Sequence, residues 1–233
     1  MNYAKLYSGE HLKKINPKWT FNTWSYRHTF VAKMQYIEKT LSHLPKHKKI
    51  LDAGCGQGLL VEEFKRRGHD IVGIDAFYGS EYVKKANILQ SGYKENTFDV
   101  ILCLDVIEHF PLLEQEKLIK ELVRITKPGG IIIWSIPNMA NLSSRIFFLL
   151  TGRLLRTAKV SYHPGDRPIK EYEDMLRKYA RIEKRKGLSP TIPLLFQLTQ
   201  LRPQYFGWLY TLLKQFSIFS NWCFNVIVVQ RKR

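Results

Sequence analysis

The 233-residue chain predicts an α/β fold: a doubly wound sheet of seven strands, mostly parallel, closed by an antiparallel last strand. From Lys49 onward, short β-branched runs alternate with helical ones, the pattern of βαβ units rather than of an antiparallel meander. Two of these runs, Ile50-Leu51-Asp52 and Ile71-Val72-Gly73-Ile74-Asp75, end in carboxylates, and a glycine-rich turn follows the first. The last run, Phe224 to Val229, closes the chain before Arg231-Lys232-Arg233 and is read as the antiparallel strand.

Phe30, Met34, Ile37, Leu41 and Leu44 recur at helical spacing and predict a helix that ends near Pro45 and packs on the sheet. With the Lys-, Trp- and Asn-rich stretch from His11 to His28, it makes an expected N-terminal helical cap over residues 1–45, ahead of a single domain over 46–233. Strands are expected near 49–53, 70–75, 83–87, 99–104 and 131–136, and helices near 57–68, 113–126 and 168–180. Only 11 residues separate Asp75 from Asn87, so the second crossover shrinks to about one turn. A sixth strand is expected near 180–185. Helical insertions are expected at about 139–165 and 188–221. Leu142, Ile146, Leu149 and Leu150 share one face in the first, and Tyr205, Trp208, Leu209, Leu212, Leu213 and Phe216 share one in the second.

The turn after the first strand reads Gly54-x-Gly56-x-Gly58, with Leu at 59. Glycine lets backbone N–H groups approach a ligand where a helix begins. The spacing departs from the G-x-G-x-x-G of pyrophosphate binders, which speaks against a nicotinamide-dependent oxidoreductase. Asp52, just ahead of the turn, would oppose a pyrophosphate but help hold an ammonium. Asp75, at the end of the second strand, can accept from both hydroxyls of a ribose. A nucleoside with an amino-acid end satisfies both segments.

Ile50 to Gly58, Asp75 and the string Phe98 to His109, followed by Leu122 to Gly130 leading into Ile131-Ile132-Ile133, resemble the class I S-adenosylmethionine-dependent methyltransferases. Within them, Asp105-Val106-Ile107-Glu108-His109 is most similar to the branch containing the ubiquinone-biosynthesis O-methyltransferase and bacterial small-molecule and glycan methyltransferases. The resemblance covers roughly residues 45 to 138, with a weaker echo to 180. It implies a Rossmann-like sheet and S-adenosylmethionine as cofactor. Asp52, Gly54, Cys55, Gly56, Gly58, Asp75, Ala76, Asn87, Ile88, Leu104 and Asp105 would contact it, with the Asn87 amide oxygen where the family recognises the adenine amino group. Glu108 and His109 follow the fourth strand, where open α/β sheets bind ligands, and His109 suits proton transfer near neutrality. His163, in Tyr162-His163-Pro164-Gly165-Asp166, resembles a histidine that precedes the helix after the fifth strand and would line the acceptor site. A purely structural role for each histidine stays open.

The net charge is +17, divided unevenly: residues 1–138 carry +5 and residues 139–233 carry +12. Such an excess attracts lipid headgroups, nucleic acid or phosphorylated substrates, or simply keeps a surface solvated. No N-P-P-[YFW] tetrapeptide or RNA-binding module accompanies it, which disfavours nucleic acid, the alternative acceptor. An apolar, aromatic insertion on the acceptor side favours a small-molecule, lipid-like or lipid-linked acceptor, and the resemblance implies methylation at oxygen and admits a glycan-linked one. Arg202 and Lys214 interrupt the apolar region, so no run reaches the roughly 18 residues of a membrane span. A basic amphipathic helix can still lie on an anionic membrane, and equally can pack on the sheet or on another subunit. Cys55, Cys103 and Cys223 lack paired spacing, and Glu108 has no acidic cluster beside it, so neither disulfide nor metal is expected. Met1 to Lys14 is polar, which predicts a cytoplasmic location, and the basic amphipathic insertion leaves peripheral attachment at the inner face of the membrane open.

Overall fold

The computed structural model describes Tyr3, Lys18 and residues 20–233; most of the expected cap before residue 20 lies outside them. Helix α1 (Arg27–Ser42) buries the predicted stripe of Phe30, Met34, Ile37 and Leu41. Strand β1 (Ile50–Ala53) follows, buried along its whole length. Helix α2 (Leu59–Arg66), β2 (Ile71–Asp75) and the short β3 (Val83–Lys85) complete one half. No helix intervenes between β2 and β3; a single Ser80–Val83 bridge replaces it. The second half comprises β4 (Phe98–Leu104), α3 (Leu112–Ile125), β5 (Thr126–Pro137), α4 (Leu142–Thr151), α5 (Ile169–Arg177), β6 (Arg181–Pro190), α6 (Leu195–Leu201), α7 (Gly207–Leu213) and β7 (Cys223–Arg231).

The seven strands lie in the order β3-β2-β1-β4-β5-β7-β6, with β7 antiparallel to both β5 and β6. Side chains alternate across the sheet, as strands covered on both faces require. Leu51, Ile101 and Cys103 pack with α3 and α5, whereas Ile50, Val100 and Leu102 pack with α1 and α2. Chain order reverses between β1 and β4, and a ligand crevice opens outside the carboxyl ends of such a pair.

The structure differs from the expected boundaries where hydrogen bonding overrides pattern. β5 starts at Thr126 rather than 131, because Thr126 already pairs with Phe98 before a bulge resets the register. Helix α4 seats its polar side: Ser143 donates to the Thr191 carbonyl at 2.7 Å and Ser144 to the Leu155 carbonyl at 3.0 Å, so Phe148, Leu149 and Leu150 are exposed. Of the six apolar residues expected on one face near α7, Leu209 and Leu213 are buried while Tyr205, Trp208, Leu212 and Phe216 are exposed. No helix among the described residues is long and apolar enough to cross a membrane.

Candidate active site

The glycine turn leaves β1 in the left-handed region, with Gly54 at φ +78° and Gly58 at φ +79°. Side chains are excluded there twice over, since a Cβ on Gly54 would sit 2.5 Å from Val106 and one on Gly58 2.4 Å from Val83. Asp75 braces the turn: one carboxylate oxygen accepts from the Gly56 N–H at 2.9 Å, the other from the Phe77 and Tyr78 N–H groups at 2.9 and 3.3 Å. The oxygen that accepts from Gly56 keeps a lone pair for a further donor, whereas the other already accepts two. Asn87 caps the turn Ile88–Gln90, its amide oxygen accepting from the Leu89 N–H at 2.9 Å, so one lone pair remains for another donor. Ile88 is buried and Ala76 exposed beside Asp75.

A cavity of about 360 Å³ opens over this turn, walled by Asp52, Gly54, Cys55, Gly56, Leu104 and Asp105 together with Lys33 and Tyr26 from the N-terminal side. Burial, with the field of Asp75 added, pushes the Asp52 carboxyl up to about 7 against the pull of Lys33. Burial likewise raises the Cys55 thiol, so it stays protonated. Lys33 is itself buried and ion-paired with Asp105. Burial pushes the Asp105 carboxyl up, but the Lys33 ammonium and hydrogen bonds from Ser135 and Tyr26 win and hold it below its ordinary value. Tyr26 donates to Asp105 at 2.8 Å and Asn225 at 2.9 Å, tying the start of α1 to β4 and β7. The donor set suits a zwitterionic amino-acid end: an anion beside the turn for an ammonium, and a buried cation for a carboxylate.

A second cavity, about 620 Å³, shares Tyr26, Asp105 and His109 with the first. Trp24, Phe196 and Phe224 give it aromatic walls, and Glu108, His109 and His163 come together on it. The two imidazole rings meet edge to face at 4.7 Å. The Nδ1 of His109 is 2.8 Å from the Tyr162 carbonyl, and that of His163 is 3.0 Å from the Thr157 hydroxyl. Burial and the neighbouring His109 pull His163 down to about 4, so it is neutral near pH 7. Burial and the charge of Asp105 push Glu108 well above the carboxylate range, keeping it protonated, and its Oε2 has no hydrogen-bond partner. Ligand atoms of Glu108, His109 and His163 lie within 4.8 Å of one another, a spacing open to a shared cation as well as to a shared proton. Glu108 gains these neighbours from two imidazoles rather than from a second carboxylate. The loop carrying His163 is fixed by Gly165, whose carbonyl accepts from Tyr172 at 2.7 Å and from Gln115 at 2.8 Å.

Sequence reasoning missed Tyr26, Lys33, Ser135, Asn225, Thr157 and Asp166 as site residues. Lys33 carried a signal, because it interrupts the apolar stripe of α1 between Phe30 and Ile37, where an unpaired lysine would be costly to bury. The others are ordinary polar residues whose roles arise only once strands distant in sequence are adjacent.

A family model described as a methyltransferase domain matches residues 23–179, ending before β6 and the α6–α7 insertion. The ubiquinone biosynthesis O-methyltransferase of Acinetobacter baumannii is 28% identical over 161 residues, covering 60% of this chain and 67% of that protein. Among solved structures, an S-adenosylmethionine-dependent methyltransferase from Thermotoga maritima aligns over 100% of both chains with TM-score 0.58 at 17% identity. A Haemonchus contortus phosphoethanolamine N-methyltransferase, solved with S-adenosylhomocysteine, aligns with TM-score 0.56 at 16% identity over 89% of this chain and 56% of that one. At such identities the structural matches establish the fold, and the family match does the rest: the chain belongs to the methyltransferase-domain family, as a class I S-adenosylmethionine-dependent methyltransferase.

Proposed function

We propose that the protein methylates an oxygen of a lipid-like or lipid-linked small molecule, working in the cytoplasm against an anionic membrane face. The observation that carries this reading is the meeting of two cavities at Tyr26, Asp105 and His109. Gly54 to Gly58, Asp52 and Lys33 would hold the amino-acid end of the cofactor, Asp75 the ribose, and Ala76, Asn87 and Ile88 the adenine side. The cofactor supplies a methyl group on a sulfonium, so the protein's main task is to align an acceptor oxygen with that methyl. His109 and His163 would take the acceptor's proton, with Glu108 protonated beside them.

The surface around the second cavity supports the choice of acceptor. Except for Phe77, Leu112 and Leu113, every large apolar side chain recorded as exposed falls between Phe147 and Phe219. Helices α4 and α6 each have two sides: Ser143 and Phe196 face the second cavity, while Leu149 and Leu198 face outward. No acidic residue occurs in 139–165 or after Glu183, so in these two segments the exposed apolar side chains are interspersed along the chain with cations alone, among them Arg145, Arg153, Arg156, Arg202 and Lys214. Apolar side chains interspersed with cations match an anionic bilayer.

The test presents a long-chain alkylphenol in phosphatidylglycerol vesicles with the cofactor. Turnover should exceed that on phenol in solution, require the anionic lipid and fall with salt. Equal turnover on phenol without vesicles, or methylation only of added RNA, would refute the reading.

A further inference from the structure

Two histidines border the acceptor cavity, and their hydrogen bonds distinguish them. The Thr157 hydroxyl is 2.9 Å from Asp166 Oδ2, and the Thr157 N–H donates to the same oxygen at 3.2 Å. Burial pushes the Asp166 carboxyl up while the two Thr157 hydrogen bonds pull it back toward the charged form; ionised, it only accepts, so the single hydroxyl proton of Thr157 is committed to Asp166. The contact at 3.0 Å between Thr157 Oγ1 and His163 Nδ1 then has to be donated by the imidazole. That places the His163 proton on Nδ1 and leaves Nε2 with its lone pair at the cavity. His109 also has its Nδ1 engaged, but on the Tyr162 carbonyl, which carries no charge to stabilise an imidazolium. The His163 chain ends on a buried carboxylate whose second oxygen has no hydrogen-bond partner.

We propose that Asp166 and Thr157 are positioning residues that hold His163 in the Nδ1–H tautomer and thereby make its Nε2 the acceptor of the substrate proton. The proposal rests on the oxygen-methylation reading above and selects between its two imidazoles. As the acceptor oxygen bonds to the methyl carbon, the carbon–sulfur electron pair stays on sulfur and the hydroxyl proton moves to His163 Nε2. The positive charge leaves the sulfonium and reappears on the imidazolium, which burial and His109 disfavour and which the negative charge relayed from Asp166 through the Thr157 hydroxyl offsets. No other reactant is needed.

Nitrogen NMR of the labelled full-length protein reads the tautomer without any acceptor, so this arm stands even if the alkylphenol is not a substrate. His163 should show the Nδ1–H tautomer near neutral pH, and Thr157→Val should convert it to a mixture. With the alkylphenol vesicles, Thr157→Val should lower kcat by about tenfold or more, part of the roughly 10²–10⁴-fold available from a positioned base. The KM for acceptor and the affinity for S-adenosylhomocysteine should stay within about twofold, and Thr157→Ser, which restores the hydroxyl, should recover the rate. Asp166→Asn provides a second variant of unchanged volume and should act in the same direction. A wild-type Nε2–H tautomer, an unchanged tautomer in both variants, or a loss confined to KM would overturn the proposal.

Discussion

Lowering pH from 8 to 6 should weaken cofactor binding about tenfold, and Asp52 should be the cause. In the free protein its carboxyl is buried and pushed up to about 7, so it is largely protonated at pH 6. The cofactor's ammonium favours the ionised form, so binding below pH 7 must expel a proton. Affinity therefore rises with pH up to about 7 and then levels off. For a group titrating near 7, about one molecule in eleven is ionised at pH 6, which costs about 1.4 kcal/mol relative to pH 8. Calorimetry with S-adenosylhomocysteine, in two buffers of different ionisation enthalpy, measures both the affinity and the protons released. Asp52→Asn cannot ionise and should bind weakly at every pH, with no slope. Circular dichroism across the range checks that the fold persists. An affinity that changes less than twofold between pH 8 and 6, or a slope that survives in Asp52→Asn, would refute the reasoning.

Asp75→Ala should weaken S-adenosylhomocysteine binding by about 1.5–3 kcal/mol, the scale of a hydrogen bond to a charged group, as read by the same titration. Lys33→Met strands the Asp105 carboxylate and should cost about 3 kcal/mol of stability. In denaturant melts, the double variant Lys33→Met/Asp105→Asn should recover part of that, and a cost below about 1 kcal/mol for Lys33→Met alone would show that the pair does not hold α1 to the sheet. His163→Ala should reduce turnover by about 100-fold and His109→Ala by less, each leaving cofactor affinity within a few-fold. Trp208→Ser with Phe216→Ser should reduce sedimentation with phosphatidylglycerol vesicles at low salt without changing the circular dichroism, since both side chains are exposed.

The cofactor side of the site was legible because it is local. One strand, one glycine turn and the next strand-end acid lie within 26 residues, from Ile50 to Asp75, and their spacing carries the geometry. The apolar stripe of α1 was equally readable, although the lysine that breaks it was missed. The acceptor side was not, because its groups come from segments far apart: His163 meets His109 across 54 positions, and Asn225 meets Asp105 across 120. Helical periodicity alone left open which way α4 faces. A stripe containing Leu149 and Leu150 predicts an inward face only when apolar packing seats the helix, and here buried serine hydrogen bonds turn that face out.

Methylation at oxygen of a lipid-like acceptor is tested by following the transferred methyl group itself. The protein would be incubated with cofactor carrying a deuterated methyl group and a total extract of lipids, small molecules and RNA, and every labelled product identified by mass spectrometry. Label is expected in the organic phase, on an ether oxygen that withstands mild base. Label on nitrogen, on RNA, or only on water-soluble metabolites would contradict it.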